Sequence, residues 1–193
     1  SSDIDAVVIL VRAAMQDLQD YRSLLKRMPF SEKACGFLSG REELVNWDRA
    51  DLFQFYQDTL PLYGSLQSLI PAPTRQEAVR AVLTGACNLY HACCHNIVHE
   101  RDAALLASLY KSAVFVLQAK QYCETGRYFR KREELYRALT GTDREILAAR
   151  MHPLEETETA FLTYSEKLLC WSSGLIADFG KNQGIPGQEN SPN

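Results

Sequence analysis

The sequence predicts an α+β protein: a small mixed-sheet domain over residues 1–70, an α-helical bundle over residues 71–180, and a tail at 181–193. Three observations carry this. "DAVVILV" near the start is a continuous apolar run rich in β-branched residues, the pattern of a strand covered on both faces. "PAPT" at 71–74 is a natural boundary, and beyond it apolar residues recur at helical spacing. The closing "GKNQGIPGQENSPN" has almost nothing to bury and is expected to be disordered.

The first part alternates element types. After the strand, "MQDLQDYRSLLKRM" places Met15, Leu18, Tyr21 or Arg22, and Leu25 at helical intervals and stops at Pro29. "KACGFLSG" reads as a short strand ending at a glycine turn, and "REELVNW" as a short helical turn. "DLFQFY" sets Leu52, Phe53, Phe55 and Tyr56 around Gln54 and reads as a strand.

The second part reads as five helices with short links, a bundle. Thr74 with Glu77 three residues on forms a capping box that opens a helix reaching about Glu100. Its apolar stripe is Val79, Val82, Leu83, Ala86, Tyr90, Cys93 and Ile97. A second helix spans about Asp102 to Glu124 and ends near Gly126. "KREELYRALT", stopped by Gly141, is a third, "DREILAAR" a fourth, and Leu154 to Phe179 a fifth.

A formal net charge of −3 argues against a chain that binds polyanions over its whole surface. The six cysteines form no CxxC pair and lie mostly in apolar segments, which predicts reduced core residues in a cytoplasmic protein. No apolar run approaches the roughly 20 residues that span a bilayer, and no signal peptide is recognisable.

The densest chemistry is at the start. Asp3 and Asp5 are two apart at the lip of the first strand, so both project from one face. Such a pair can share divalent cations, Mg²⁺ or Mn²⁺, with substrate phosphates, a donor set suited to phosphoryl or nucleotidyl transfer. A solvated strand entrance is the structural alternative.

"SDIDAVVIL" resembles the latter part of the signature of nucleotidyltransferases of the DNA polymerase β superfamily. That signature is Gly-Ser, a short loop, then Asp-hydrophobic-Asp entering a strand; here Ser2, Asp3, Ile4, Asp5 and Ala6–Leu10 match. The Gly-Ser strand and preceding helix have no counterpart in these residues, so the opening looks like a chain cut inside its active-site motif. The stretch "KACGFLSGREELVNWDRADLFQFYQDTLPLYGSL" looks like the rest of a bacterial nucleotidyltransferase domain. The resemblance implies a third carboxylate on a later strand: Asp51 first, Asp58 second, Asp48 third in order of preference.

"LYKSAVFVLQAKQYCETGRYFRKREELYRAL" is similar to the helical domain that follows the catalytic domain in kanamycin-nucleotidyltransferase-like and HEPN-type proteins. The resemblance implies transfer of a nucleoside monophosphate from a nucleoside triphosphate to an unidentified acceptor, with Mg²⁺ as cofactor. Ser2 would then touch nucleotide.

Lys111 lies off the apolar stripe of its helix, on a face with Ala104, Ser108, Phe115, Gln118 and Tyr122. It could reach a triphosphate across an interdomain cleft, or be a solvated lysine that snorkels. Arg127, Arg130, Lys131, Arg132 and Arg137 crowd into eleven residues, with Glu133 and Glu134 offsetting part of the charge. Arg130 and Arg132 are the next phosphate candidates; a solvated helix start is the alternative.

His91, His95 and His99 recur at i, i+4 and i+8, with Thr84 and Asn88 continuing their face. The spacing suits Zn²⁺ or, as a structural feature, a polar, partly buried seam. "HNIVH" lacks the preceding Arg of HEPN ribonucleases, which argues against RNA cleavage. No GxSxG, Cys-His or P-loop pattern occurs. The rival to an enzyme is a non-catalytic, antitoxin-like interaction protein, a helical bundle that dimerises as a homodimer and keeps a degenerate nucleotide site.

Overall fold

The computed structural model describes residues 4–151 and 157–181. The chain is mostly helical, with one two-stranded parallel sheet. It forms two compact units. One runs to Asp48 and takes in Pro61–Ala72; the other joins Arg49–Leu60 to the residues from Pro73 onward.

In the first unit β1, Ile4–Leu10, pairs in parallel with β2, Ala34–Gly40, from Ile4 opposite Ala34 to Leu10 opposite Gly40. Parallel strands need a crossover, here supplied by α1, Met15–Leu25. At Gly36 φ is +118°, and a Cβ there would lie 1.8 Å from the Ala6 carbonyl oxygen. Only glycine lets the strands meet at this rung. α2, Arg41–Val45, follows β2 directly. The ring of Phe37 packs 5.6 Å from that of Trp47.

The second unit holds the large core. α3, Arg49–Asp58, contributes Phe53, which is fully buried among core residues of the long helices. α4, Arg75–His95, packs against α5, Ala103–Thr125, and against α8, Glu158–Gly180. α7, Gly141–Met151, lies on α5 and α8, and α6, Arg132–Ala138, lies on α7.

Local chemistry sets the helix ends. The Thr74 hydroxyl accepts from Glu77 N at 3.3 Å, and the Glu77 carboxylate accepts from Thr74 N at 2.5 Å, completing the expected capping box. Beyond His95 the chain continues as a π-helical segment, Asn96–Glu100, and turns at Arg101 (φ +52°). Asn96, 1% exposed, holds that turn by donating to the Asp102 carbonyl and accepting from its N–H. Asp102 then caps α5 at Ala104 and Leu105, and Gly126 (φ +72°) ends it.

Several sequence expectations change. β1 is not covered on both faces, since Ile4, Asp5 and Ala6 are exposed and Val7–Leu10 only half-buried, and the described sheet is parallel instead of mixed. "DLFQFY" is helix, not strand: Leu52 and Phe53 are buried, while Gln54, Phe55 and Tyr56 are half-buried. That helix groups with the second unit. Along α4 the buried stripe is Ala78, Val82, Ala86, Leu89 and Cys93, so Leu89 rather than Tyr90 faces the core. Gly141 begins α7 instead of stopping the helix before it. The tail beyond Lys181 lies outside the described residues.

All six cysteines are unpaired thiols. Cys93 and Cys123 are buried, and burial pushes both thiols up to about 11; the neighbouring Cys94 adds to the rise at Cys93. Cys35, Cys87 and Cys170 are exposed, so the expectation of core cysteines does not hold for them: an apolar neighbourhood in sequence does not fix which way a side chain faces.

Candidate functional site

The sequence-predicted residues fall in separate places. Ser2 and Asp3 lie outside the described residues. Asp5 is exposed on β1, opposite Cys35 in the register. Strand alternation puts it on the face of Val7 and Ile9, which are half-buried. The exposed end of β1 is therefore the acidic end. β2, "ACGFLSG", carries no acidic residue, so the sheet adds no third carboxylate to Asp5 among the described residues. Of the expected pair only Asp5 is described, a single exposed oxygen donor on the strand.

Asp51 and Asp58 both sit on α3, Asp51 in its first turn and Asp58 at its end. Asp58 is engaged locally: the Gln54 amide donates to its carboxylate and to the Tyr128 hydroxyl. Burial, then the Asp58 charge, pushes the Tyr128 phenol far above its ordinary range, so it stays protonated. Gln54 Nε2 also lies 3.4 Å from Gln118 Oε1, and the buried Gln118 donates to the Phe129 carbonyl at 2.8 Å. Gln54, Asp58, Gln118 and Tyr128 thus form a polar latch that ties α3 to α5 and to the segment after it.

The basic run is largely occupied. Arg130 donates to the Gln57 carbonyl near the end of α3, Arg127 stacks 5.0 Å over the Phe129 ring, and Lys131 lies 3.7 Å from Glu134. Arg132 is exposed at the start of α6. Lys111 is exposed on α5.

The histidines do not form the expected partly buried seam: His91, His95 and His99 are all exposed. The His95 and His99 rings lie 4.9 Å apart, and His95 Nε2 is 3.2 Å from Glu100. Among the described residues no three His, Cys, Asp or Glu side chains gather to hold a metal ion.

The sequence reading missed a groove in the helical unit. It has a volume of about 430 Å³ and is walled by α3, α4 and α5. Its polar rim includes Asp51, Gln54, Thr84, Asn88 and Ser112, with Phe115 47% exposed beside them. Its floor is aliphatic. Gly85 makes that floor possible, because a Cβ there would lie 2.6 Å from Val116 Cγ2. The available signal was the i, i+4 pair Thr84 and Asn88, which continues the polar face carrying the histidines. Their groove also needs α3, which the sequence disguised as a strand.

Compared with known proteins, the chain matches no family model, no curated protein and no solved structure. No helix among the described residues is long and apolar enough to cross a membrane.

Proposed function

We propose that the chain carries the acidic strand of a nucleotidyltransferase that moves a nucleoside monophosphate from a nucleoside triphosphate to an acceptor hydroxyl or phosphate. The observation that supports this reading is Asp5. It stands exposed at the start of an apolar parallel strand whose backbone is pinned to β2 at the neighbouring glycine rung. A carboxylate carried by a strand is held more rigidly than one on a loop, and a phosphate-bound cation needs such positioning. Asp3, two residues before it, would share the task by strand periodicity. Mg²⁺ held there would neutralise triphosphate charge and orient the α-phosphate. Asp5 and Asp3 would fix its position, and the reading does not call on Asp51 or Asp58. Lys111 and Arg132 are exposed cations of the helical unit, and Arg130 is tied to the Gln57 carbonyl of α3.

The test is calorimetric titration of a nucleoside triphosphate into full-length natural protein, with and without Mg²⁺ or Mn²⁺, for wild type, Asp5→Asn and Lys111→Met. Metal-dependent affinity that falls about tenfold or more in Asp5→Asn supports the reading. Equal metal-dependent affinity in wild type and Asp5→Asn defeats it.

One observation favours a second reading, a nucleotide-binding or regulatory interaction protein with a degenerate site. The sheet offers no acidic residue on β2, and Asp58 is committed to Gln54. On that reading the wild type binds nucleotide and releases no pyrophosphate with any acceptor.

A further inference from the structure

We infer that the groove of the helical unit binds a small organic cation, a primary ammonium on an aromatic or aliphatic body. This is independent of nucleotide chemistry at Asp5. Its volume of about 430 Å³ is that of a small-molecule site, and its surface is mainly apolar with a few converging polar groups. Among the residues that line it, Asp51 alone carries a formal charge. An acid in the first turn of a helix is favourable for the helix itself, so Asp51 alone would mean little. The groove adds independent features. Asp51, Thr84 and Asn88 are exposed, and none hydrogen-bonds another described residue through its side chain. All three line one concavity from two helices.

Phe115 of α5 supplies the third wall, almost half exposed at the rim. An aromatic face attracts an ammonium and stacks on a flat ring. A carboxylate gives charge-assisted hydrogen bonds to N–H donors. Thr84 and Asn88 offer acceptors for the remaining ammonium protons. An anion would meet Asp51 with no lining cation to offset it. A neutral apolar ligand would make no use of the carboxylate, which would keep only its water.

The probe is phenethylamine, protonated at neutral pH, with 2-phenylethanol as its neutral counterpart. Both are titrated into ¹⁵N-labelled full chain and followed by backbone amide shifts. A ligand of this size is expected to bind in the millimolar range. Saturable shifts should centre on Thr84, Gly85, Asn88 and Ser112, and 2-phenylethanol should bind at least about fivefold more weakly. Asp51→Asn should weaken the amine about tenfold and abolish the preference over the alcohol. Phe115→Ala should weaken both probes about threefold. Unchanged shifts elsewhere establish that each variant is folded. Absence of saturable shifts at the groove, or equal amine affinity in wild type and Asp51→Asn, overturns the inference.

Discussion

Trp171 donates its indole N–H to Asp143 at 2.8 Å, joining α8 to α7. The other oxygen of the same carboxylate meets Lys120 of α5 at 2.5 Å, and Lys120 also reaches Glu124 at 2.8 Å. One carboxylate therefore serves three helices. Burial alone would lower the Lys120 pKa, but Asp143 and Glu124 outweigh it and raise the ammonium above its ordinary range.

Asp143→Ala leaves a part-buried ammonium with one partner and an indole N–H with none. It should cost about 2–3 kcal/mol in urea unfolding. Asp143→Asn keeps an acceptor for Trp171 and should cost roughly half as much. Equal losses for the two variants would show that the charge, and not the indole contact, carries the junction.

Asn96→Ala removes the clamp on both Asp102 backbone groups. A loss of about 2 kcal/mol is expected. Hydrogen exchange should quicken at the turn between α4 and α5 and at the first turn of α5, before the centre of either helix responds. Uniform quickening along both helices would contradict a local role for Asn96.

Acid should weaken the helical unit in part through Glu77. Burial raises this carboxyl, but hydrogen bonds from Arg49 and from Thr74 outweigh that and hold it below its ordinary 4.5. A lowered pKa contributes stability that is fully present above the unfolded value and disappears as pH falls through the folded one. Urea midpoints taken from about pH 7 down to about pH 3 should fall less steeply for Glu77→Gln than for wild type. Parallel curves would remove Glu77 from the account.

Gly85→Ala tests the close approach of α4 and α5. Alanine gains about 1 kcal/mol of helix propensity over glycine, yet its Cβ would lie 2.6 Å from Val116 Cγ2. Overpacking of this kind costs about 1–3 kcal/mol, so a net loss is expected. Val116→Ala vacates the contested space, and the double variant should be more stable than the summed single losses imply, by about 1 kcal/mol. Strict additivity would mean that the helices already part to admit a methyl group.

The strands and long helices were legible because their signals are long or doubled. β1 has an unbroken β-branched run, and α4 has both halves of its capping box. α3 was not legible. Its apolar residues at 52, 53, 55 and 56 suit one side of a helix, but three aromatics in so short a segment mimic a strand. Tyr90 and Leu89 are adjacent apolar residues, and periodicity alone does not fix which one faces inward. The Asp3–Asp5 spacing stood out because two acids border an apolar run. The groove could not, since it depends on the packing of three helices and on a glycine whose purpose appears only opposite Val116.

The unequal thiols make the protein its own clock. At about pH 8 a thiol with a pKa near 11 is ionised to roughly one part in a thousand, and Cys93 is further shielded by its contact with the Ser165 carbonyl. Cys35, Cys87 and Cys170 should take up an alkylating reagent at once, setting a baseline. Cys93 and Cys123 should take it up only when α4 or α5 leaves the core, so mass counted over time would record how often each long helix opens.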